Sequence, residues 1–348
     1  MRGVFGILRD AAPDYWGRRI IEHYSEKSEL SELDYLLLSP DDRAGALGFG
    51  LNVVPPAPKR EFNQTLDLKK LQQLANELVT EENVSTGVIN NQIADLLLLG
   101  TSMGGARPKA VVEDEEGLWI AKFNRFDDKW NQARVEQAML VLARRSGLQV
   151  ANSKVVEVGG HDVLLVKRFD REKKLGGYLR ARMMSALTLL CTEDNYQSRD
   201  KWSYIAFVEE LRRISSEPEK DAAELFRRIC FNALISNIDD HPRNHAIIAK
   251  DQNWKLSPAY DLTPFMPISM DRRDLAMICG NQGRFSNAKN ILSQHARFLL
   301  EYEQAKIILE GMENFINNNW YSIARGEGVS SADCKKIASA FVYPGFKL

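Results

Sequence analysis

The chain lacks several things that would have settled its class at once. It has no run of 18 consecutive apolar residues, so a membrane-spanning helix is not expected. Its N-terminus, Met1-Arg2-Gly3-Val4-Phe5, reaches acidic and proline residues too soon for a signal peptide, and a soluble protein is the expectation. Four cysteines, Cys191, Cys230, Cys279 and Cys334, lie far apart with no Cys-x-x-Cys pair. With several of them inside apolar periodic runs, that is the pattern of a reduced, cytoplasmic protein. With 46 Lys and Arg against 47 Asp and Glu the formal net charge is −1, so no global basic field would draw the chain onto nucleic acid or an anionic membrane. DNA association is therefore expected only indirectly, through a partner. Internal repeats and low-complexity tracts are absent.

What is present is enough chain for two cores: 348 residues, 44% hydrophobic and 27% charged. Chains beyond roughly 250 to 300 residues tend to divide. A helix is expected from about Trp16 to Tyr24, then a stiff extended link at Pro55-Pro56-Ala57-Pro58. Asp67 can cap a helix over 67–81, whose apolar residues Leu68, Leu71, Leu74, Ala75 and Leu78 recur every three or four positions, and a second helix should cover 88–99. Short β-branched stretches at Lys109–Val112, Leu118–Phe123, Ser153–Val158 and Asp162–Arg168 read as strands, interrupted by one helix near 131–146. After about residue 185 the pattern is helical to the end, with apolar stripes at Phe226, Ile229, Cys230, Ala233 and Leu234 and at Ala305, Ile308, Leu309, Met312 and Ile316. The expected fold class is α+β, bilobal and protein-kinase-like. Its segments are 1–60, a partial N-terminal subdomain; 61–185, a kinase N-lobe-like region with a phosphate loop; and 186–348, a helical C-terminal lobe.

The chemistry concentrates in Ser236-Asn237-Ile238-Asp239-Asp240-His241-Pro242-Arg243-Asn244, followed by Ala259-Tyr260-Asp261-Leu262. A protein-kinase catalytic loop carries an Asp that orients and deprotonates the acceptor hydroxyl, four residues, then an Asn on magnesium. Asp239 and Asn244 have that spacing, which prefers Asp239 over Asp240 as the base. Asp261 follows as the second magnesium-binding acid, since Mg²⁺ takes hard oxygen ligands and keeps several waters. Alone, Asp and Asn in such a stretch are ordinary turn residues; their ordered combination carries the reading. His241 and His245 would share a helical face as in a zinc site, but Pro242 disfavours a regular helix there. Lys122, on a strand before a helix bearing Glu136, suits the kinase lysine on the α- and β-phosphates with its glutamate partner. The loop Gly100–Lys109 lacks the terminal Gly-Lys-Ser/Thr of a Walker A motif, and Gly104-Gly105 could equally be a hairpin turn. Arg107 and Lys109 could contact phosphates, with solvated surface charge the better default for either.

Several stretches, in order, resemble the HipA family, the kinase toxins of bacterial toxin–antitoxin systems. Ala12-Pro13-Asp14-Tyr15-Trp16-Gly17-Arg18-Arg19 and Asp42-Arg43-Ala44-Gly45-Ala46-Leu47-Gly48-Phe49 resemble two N-terminal segments of that family. Gly100-Thr101-Ser102-Met103-Gly104-Gly105 resembles its phosphate loop, Trp119-Ile120-Ala121-Lys122-Phe123 its nucleotide-lysine strand, and Val166-Lys167-Arg168-Phe169-Asp170-Arg171 its hinge. The resemblance implies an ATP- and Mg²⁺-dependent serine/threonine-protein kinase. Ser102, Met103, Gly104 and Gly105 would sit on the phosphates, Lys167 to Phe169 would offer backbone groups and apolar cover to adenine, and His241 would brace the loop by hydrogen bonding. It further implies autophosphorylation of Ser102, with Thr101 an adjacent acceptor; the added charge of a phosphoserine would oppose ATP phosphates there. It implies a target among translation components, such as an aminoacyl-tRNA synthetase, and restraint by a DNA-binding, HipB-like antitoxin. The family's longer members place a small β-rich region before the first segment, where only about a dozen residues precede it here, so a small separate chain supplying that part is a further expectation. Arg180–Leu187 departs from the polar character of some relatives, and no substrate contact carries over there. Two other readings stay open: a non-catalytic kinase-fold module in a repressor complex, and a small-molecule phosphotransferase.

Overall fold

A computed structural model describes residues 4–25, 29–54, 63–64, 67–73, 107–266 and 269–347. The expected 88–99 helix, the Pro55–Pro58 link and the loop residues Gly100 to Ala106 lie outside these, as does the greater part of the 67–81 helix, of which 68–73 is helical. The chain forms two compact units, residues 1–129 with 152–183, and residues 130–151 with 184–348.

The first unit is built on a five-stranded sheet of β1 (Asn63–Gln64), β2 (Lys109–Asp114), β3 (Gly117–Phe123), β4 (Ser153–Val158) and β5 (His161–Lys167), in the order β1-β2-β3-β5-β4. Only the β1–β2 pair is parallel. Alternation along the strands puts Ala110, Val112, Trp119, Ala121, Phe123, Val163 and Leu165 into one cluster with Trp16, Ile20, Leu68 and Leu71. The helix Tyr15–Tyr24 is fastened to this sheet by its own start. Asp14 caps it by accepting from the Gly17 amide at 2.8 Å, and its other oxygen accepts from the Lys109 ammonium at 3.1 Å. Trp16 Nε1 donates to the Lys109 carbonyl at 3.2 Å. Lys109 is thus a buried, ion-paired residue rather than solvated surface charge.

A hairpin of β6 (Arg171–Lys174) and β7 (Gly177–Arg180) follows the sheet. Its Gly176 and Gly177 take φ of +82° and +154°, the backbone such a turn needs. The segment Asp42–Gly45 is bound to its start through buried side chains. Arg168 and Arg171 both clasp Asp170, and their remaining N–H groups donate to the carbonyls of Asp42, Arg43 and Gly45. Desolvation alone would raise the Asp170 carboxyl, but the two guanidinium charges outweigh it and hold it well below the usual carboxylate range. Desolvation and the like charge of Arg168 bring the Arg171 guanidinium down to about 9.

The second unit packs around the helix Pro218–Leu234, whose Leu225, Phe226, Ile229, Cys230, Ala233 and Leu234 are all fully buried. Against it lie Tyr204, Phe207, Val208 and Leu211 of the helix Tyr204–Ile214 and Ala305, Leu309, Met312 and Ile316 of the helix Tyr302–Gly326, so both expected stripes are core. The helix Gln132–Arg145 contributes Val135, Met139 and Leu142 to the same core and groups with this unit, although in sequence it interrupts the strands of the first. The unit is not helical throughout, as its sequence pattern suggested. It carries a pair of antiparallel strands, β8 (Ala246–Ala249) and β9 (Lys255–Leu256), and the described part of 257–287 holds no helix. Pro258, Pro264, Gly280 and Gly283 interrupt the helical period there. All four cysteines are free, and burial pushes the Cys279 thiol up to about 12. No helix among the described residues is long and apolar enough to cross a membrane.

Candidate active site

The helix Pro218–Leu234 delivers the chain to the loop and stops abruptly. Its continuation is broken at Ser236, whose φ of +54° puts a non-glycine residue in the left-handed region. The loop then presents two adjacent acids with opposite fates. Asp240 is 1% exposed, and a single carboxylate oxygen accepts from the Tyr204 hydroxyl, from Asn232 Nδ2 at 2.7 Å and from His245 Nε2 at 2.7 Å. Burial, then the charge of Asp240, push the Tyr204 phenol far above its ordinary value, so it remains a donor. Asp239, by contrast, is exposed. Partial desolvation raises its carboxyl pKa, with the charges of Asp240 and Asp261 adding to the rise and His241 and Arg199 opposing it. A solvent-facing aspartate with a raised pKa is suited to accept a proton; its fully satisfied neighbour is suited to hold the loop.

Asn244 closes the loop from inside. Its Nδ2 donates to the Asp239 carbonyl at 3.3 Å, which engages the nitrogen end of the amide with the loop itself. The turn Pro242–Asn244 is a short 3₁₀ segment, and His245 beyond it is turned to Asp240, so the two histidines do not act as a helical pair. His241 does not brace the loop through its ring as expected: Nδ1 is buried without a hydrogen-bond partner, and the imidazole meets the edge of Trp202 at 6.4 Å. The bracing falls to His245, four residues on, because the 3₁₀ turn swings that side chain into the core.

The segment bearing Asp261 is tied to the loop at three points. Tyr260 donates its hydroxyl to the Arg243 carbonyl at 2.9 Å, Asn237 Nδ2 donates to the Asp261 carbonyl at 3.4 Å, and the Phe265 amide donates to the Ser236 carbonyl at 3.1 Å. Asp261 itself takes φ +55°. The second unit therefore brings Asp239, Asn244 and Asp261 together on one hydrogen-bonded frame. Tyr204, Asn232, Asn237 and His245, which build that frame, were missed in the sequence. Asn232, completely buried within an otherwise apolar stripe, was the one available signal.

The other expected site residues are placed unit by unit. In the first, Lys122 lies on β3 opposite Lys109 and Leu164, half-buried. Lys167 stands at the end of β5 over the Trp119 ring, 5.5 Å from its centroid, and Phe169 is half-buried between the fully buried Arg168 and Asp170. The backbone N–H groups of Lys167 and Arg168 are already used, donating to Asn152 and Leu118 carbonyls at 2.7 and 2.9 Å. Arg107 pairs with Asp128 at 2.5 Å. In the second unit Glu136 is 5% exposed on the helix Gln132–Arg145. Thr101, Ser102, Met103, Gly104 and Gly105 lie outside the described residues.

A sheet-based unit joined to a helical unit whose core helix ends in an Asp-x4-Asn loop defines a kinase-like α+β protein. The HipA-like C-terminal domain family matches residues 101–320, well over half of the chain, and the chain belongs to that family. Among curated proteins it is 32% identical over 130 residues to "Putative kinase Y4mE" of Sinorhizobium fredii, covering 36% of this chain and 31% of that protein. It is 24% identical over 224 residues to a "Putative kinase" of Haemophilus influenzae, covering 58% and 64%. The matched stretches thus span from about a third to just under two thirds of these relatives. Among solved structures, HipA of Shewanella oneidensis MR-1, in complex with HipB and operator DNA, superposes with a TM-score of 0.73 at 16% identity over 96% of this chain and 82% of that one, a shared fold.

Proposed function

We propose that the chain transfers the γ-phosphoryl group of ATP to a serine or threonine hydroxyl of a protein, in the manner of HipA toxins. The observation that carries this is the division of labour at Asp239 and Asp240: the acid chosen by the spacing to Asn244 is the exposed one with the raised pKa, and its neighbour is consumed in holding the loop. Asp239 would orient the acceptor hydroxyl and take its proton as the oxygen attacks phosphorus. Asn244, its amide nitrogen already engaged, and Asp261 fit a Mg²⁺ ion through their oxygens. Such an ion would supply positive charge that offsets the charge of the phosphates. Lys122 and Glu136 would serve the α- and β-phosphates, Lys167 and Phe169 the adenine, and Ser102, with Met103, Gly104 and Gly105, a phosphate loop open to autophosphorylation. Likeness to a HipA bound to HipB and DNA supports a DNA-binding antitoxin as partner, and the acceptor would be a translation component such as an aminoacyl-tRNA synthetase.

Intact-mass analysis and phosphopeptide mapping after incubation with Mg-ATP test this, with Asp239→Asn and Ser102→Ala beside the wild type. Phosphate on Ser102 in the wild type and none in Asp239→Asn is the expected result. Transfer only to small alcohols would make the chain a small-molecule phosphotransferase. No transfer and no ATP binding would leave a non-catalytic module of a repressor complex.

A further inference from the structure

The family match ends at residue 320, yet the segment 338–347 is built into the stem of the catalytic loop. The Val342 amide donates to the carbonyl of Leu234, the last residue of the helix that delivers the loop, at 2.8 Å. Two residues on, the Ser236 hydroxyl donates to the Ala340 carbonyl at 2.6 Å and accepts from the Arg273 guanidinium. Arg273 also donates to the carbonyls of Ser339 at 2.8 Å, Ala340 at 3.2 Å and Ser269 at 3.1 Å, and its guanidinium stacks on the Tyr343 ring, 4.3 Å from the centroid.

Arg273 is 5% exposed and forms no ion pair among the described residues; its partners are carbonyls, a hydroxyl, a thioether and an aromatic face. A buried cation without a counter-charge is costly unless its neutral partners are held in place. Here they are. Tyr343 and Phe346 are essentially fully buried, Phe341 stacks on Trp320 at 4.2 Å, and Gly345 runs so close to Asp271 that a Cβ would meet its carbonyl oxygen at 1.9 Å. The tail is buried, and Arg273 joins it to Ser236 by hydrogen bonds. Ser236 is where that matters, because its left-handed backbone sets the direction of the chain three residues before Asp239.

We infer that the C-terminal segment 338–347 positions the catalytic loop, acting through Arg273 and Ser236 on the aim of Asp239. The inference rests on the kinase reading above and makes Arg273 and Ser236 positioning residues.

The test uses the full-length chain with Ser236→Gly, which keeps the left-handed backbone while removing the hydroxyl, Arg273→Lys, and Tyr343→Leu from the tail side. Four quantities are followed: kcat for phosphate transfer, KM for ATP, hydrogen exchange of peptides covering 236–244, and melting temperature. The expected result is a roughly tenfold or larger fall in kcat from misplacement of the base, with the ATP KM within about twofold of wild type and faster exchange in the loop. Unchanged kcat overturns the inference whether or not the melting temperature drops, since the tail would then be core packing alone. A fall in kcat with unaltered loop exchange overturns it too. If the wild type transfers no phosphate, it is the kinase reading that fails, and the exchange data still decide whether the tail governs the loop.

Discussion

Two buried aspartates, one in each unit, hold distant segments together with different partners. Asp170 is gripped by two guanidinium groups and by the Gly45 amide at 3.0 Å, and the arginines in turn bind backbone carbonyls more than a hundred residues away in sequence. Asp240 is held by a phenol, an amide and an imidazole, with no arginine or lysine among its hydrogen-bond partners. Around Asp170 charge neutralises charge, and both guanidinium groups are spent on structure. In the second unit, a phenol, an amide and an imidazole do the holding, and burial with the charges of Asp240 and Asp261 outweighs the opposing pull of His241 and Arg199 on the neighbouring Asp239. That leaves the exposed acid with a raised pKa beside an inert one, the pattern expected where carboxylates are sorted into different roles by environment.

Asp239→Asn should break the contrast most deeply. Phosphate transfer is expected to fall roughly 10²- to 10⁴-fold, as for loss of a general base, while the melting temperature stays near wild type because the side chain is exposed; turnover assays and a thermal scan check both. Its raised pKa also sets the acid limb of the pH–rate profile. Activity should be full when Asp239 is ionised and be lost as pH falls through a value above that of an ordinary aspartate.

Asp170→Ala should cost about 3–5 kcal/mol in urea unfolding, because it strands two buried arginines. The pH dependence there has the opposite sense of shift. With its folded pKa depressed, Asp170 binds fewer protons folded than unfolded, so its contribution is complete above the ordinary aspartate range and disappears as pH falls toward the lowered value. The acid-unfolding curve of Asp170→Asn should lack that slope. Asp240→Asn should be milder, about 1–3 kcal/mol, since its hydrogen-bond partners include no arginine or lysine and an amide oxygen can still accept from some of them; its measure is chemical unfolding with turnover alongside. At the small end, Arg18→Met removes a partly exposed pair with Glu32 at 2.6 Å and should cost less than about 1 kcal/mol.

Much of the site was legible because its signals are local. The five-residue offset from Asp239 to Asn244 singled out the exposed acid, and the apolar stripe through Phe226 and Leu234 announced the helix that delivers it. What escaped the sequence is non-local. Nothing near Asp240 says that Tyr204 will cap it, and a histidine at 245 looks no more structural than one at 241 until the 3₁₀ turn is known. The β6–β7 hairpin hid because Arg171–Lys174 is charged rather than alternating, although the Gly176-Gly177 pair is turn chemistry. Lys109 defied the default of a solvated charge because its partner, Asp14, lies 95 residues upstream.

That last pair has a consequence for descent. Each side chain of Asp14 and Lys109 is 5% exposed, so altering either one alone would take from a buried charge its ion-pair partner. The two positions should therefore drift together among homologues, changing jointly to an uncharged pair or not at all. A double substitution that restores the folding lost by each single one would show the two positions energetically coupled.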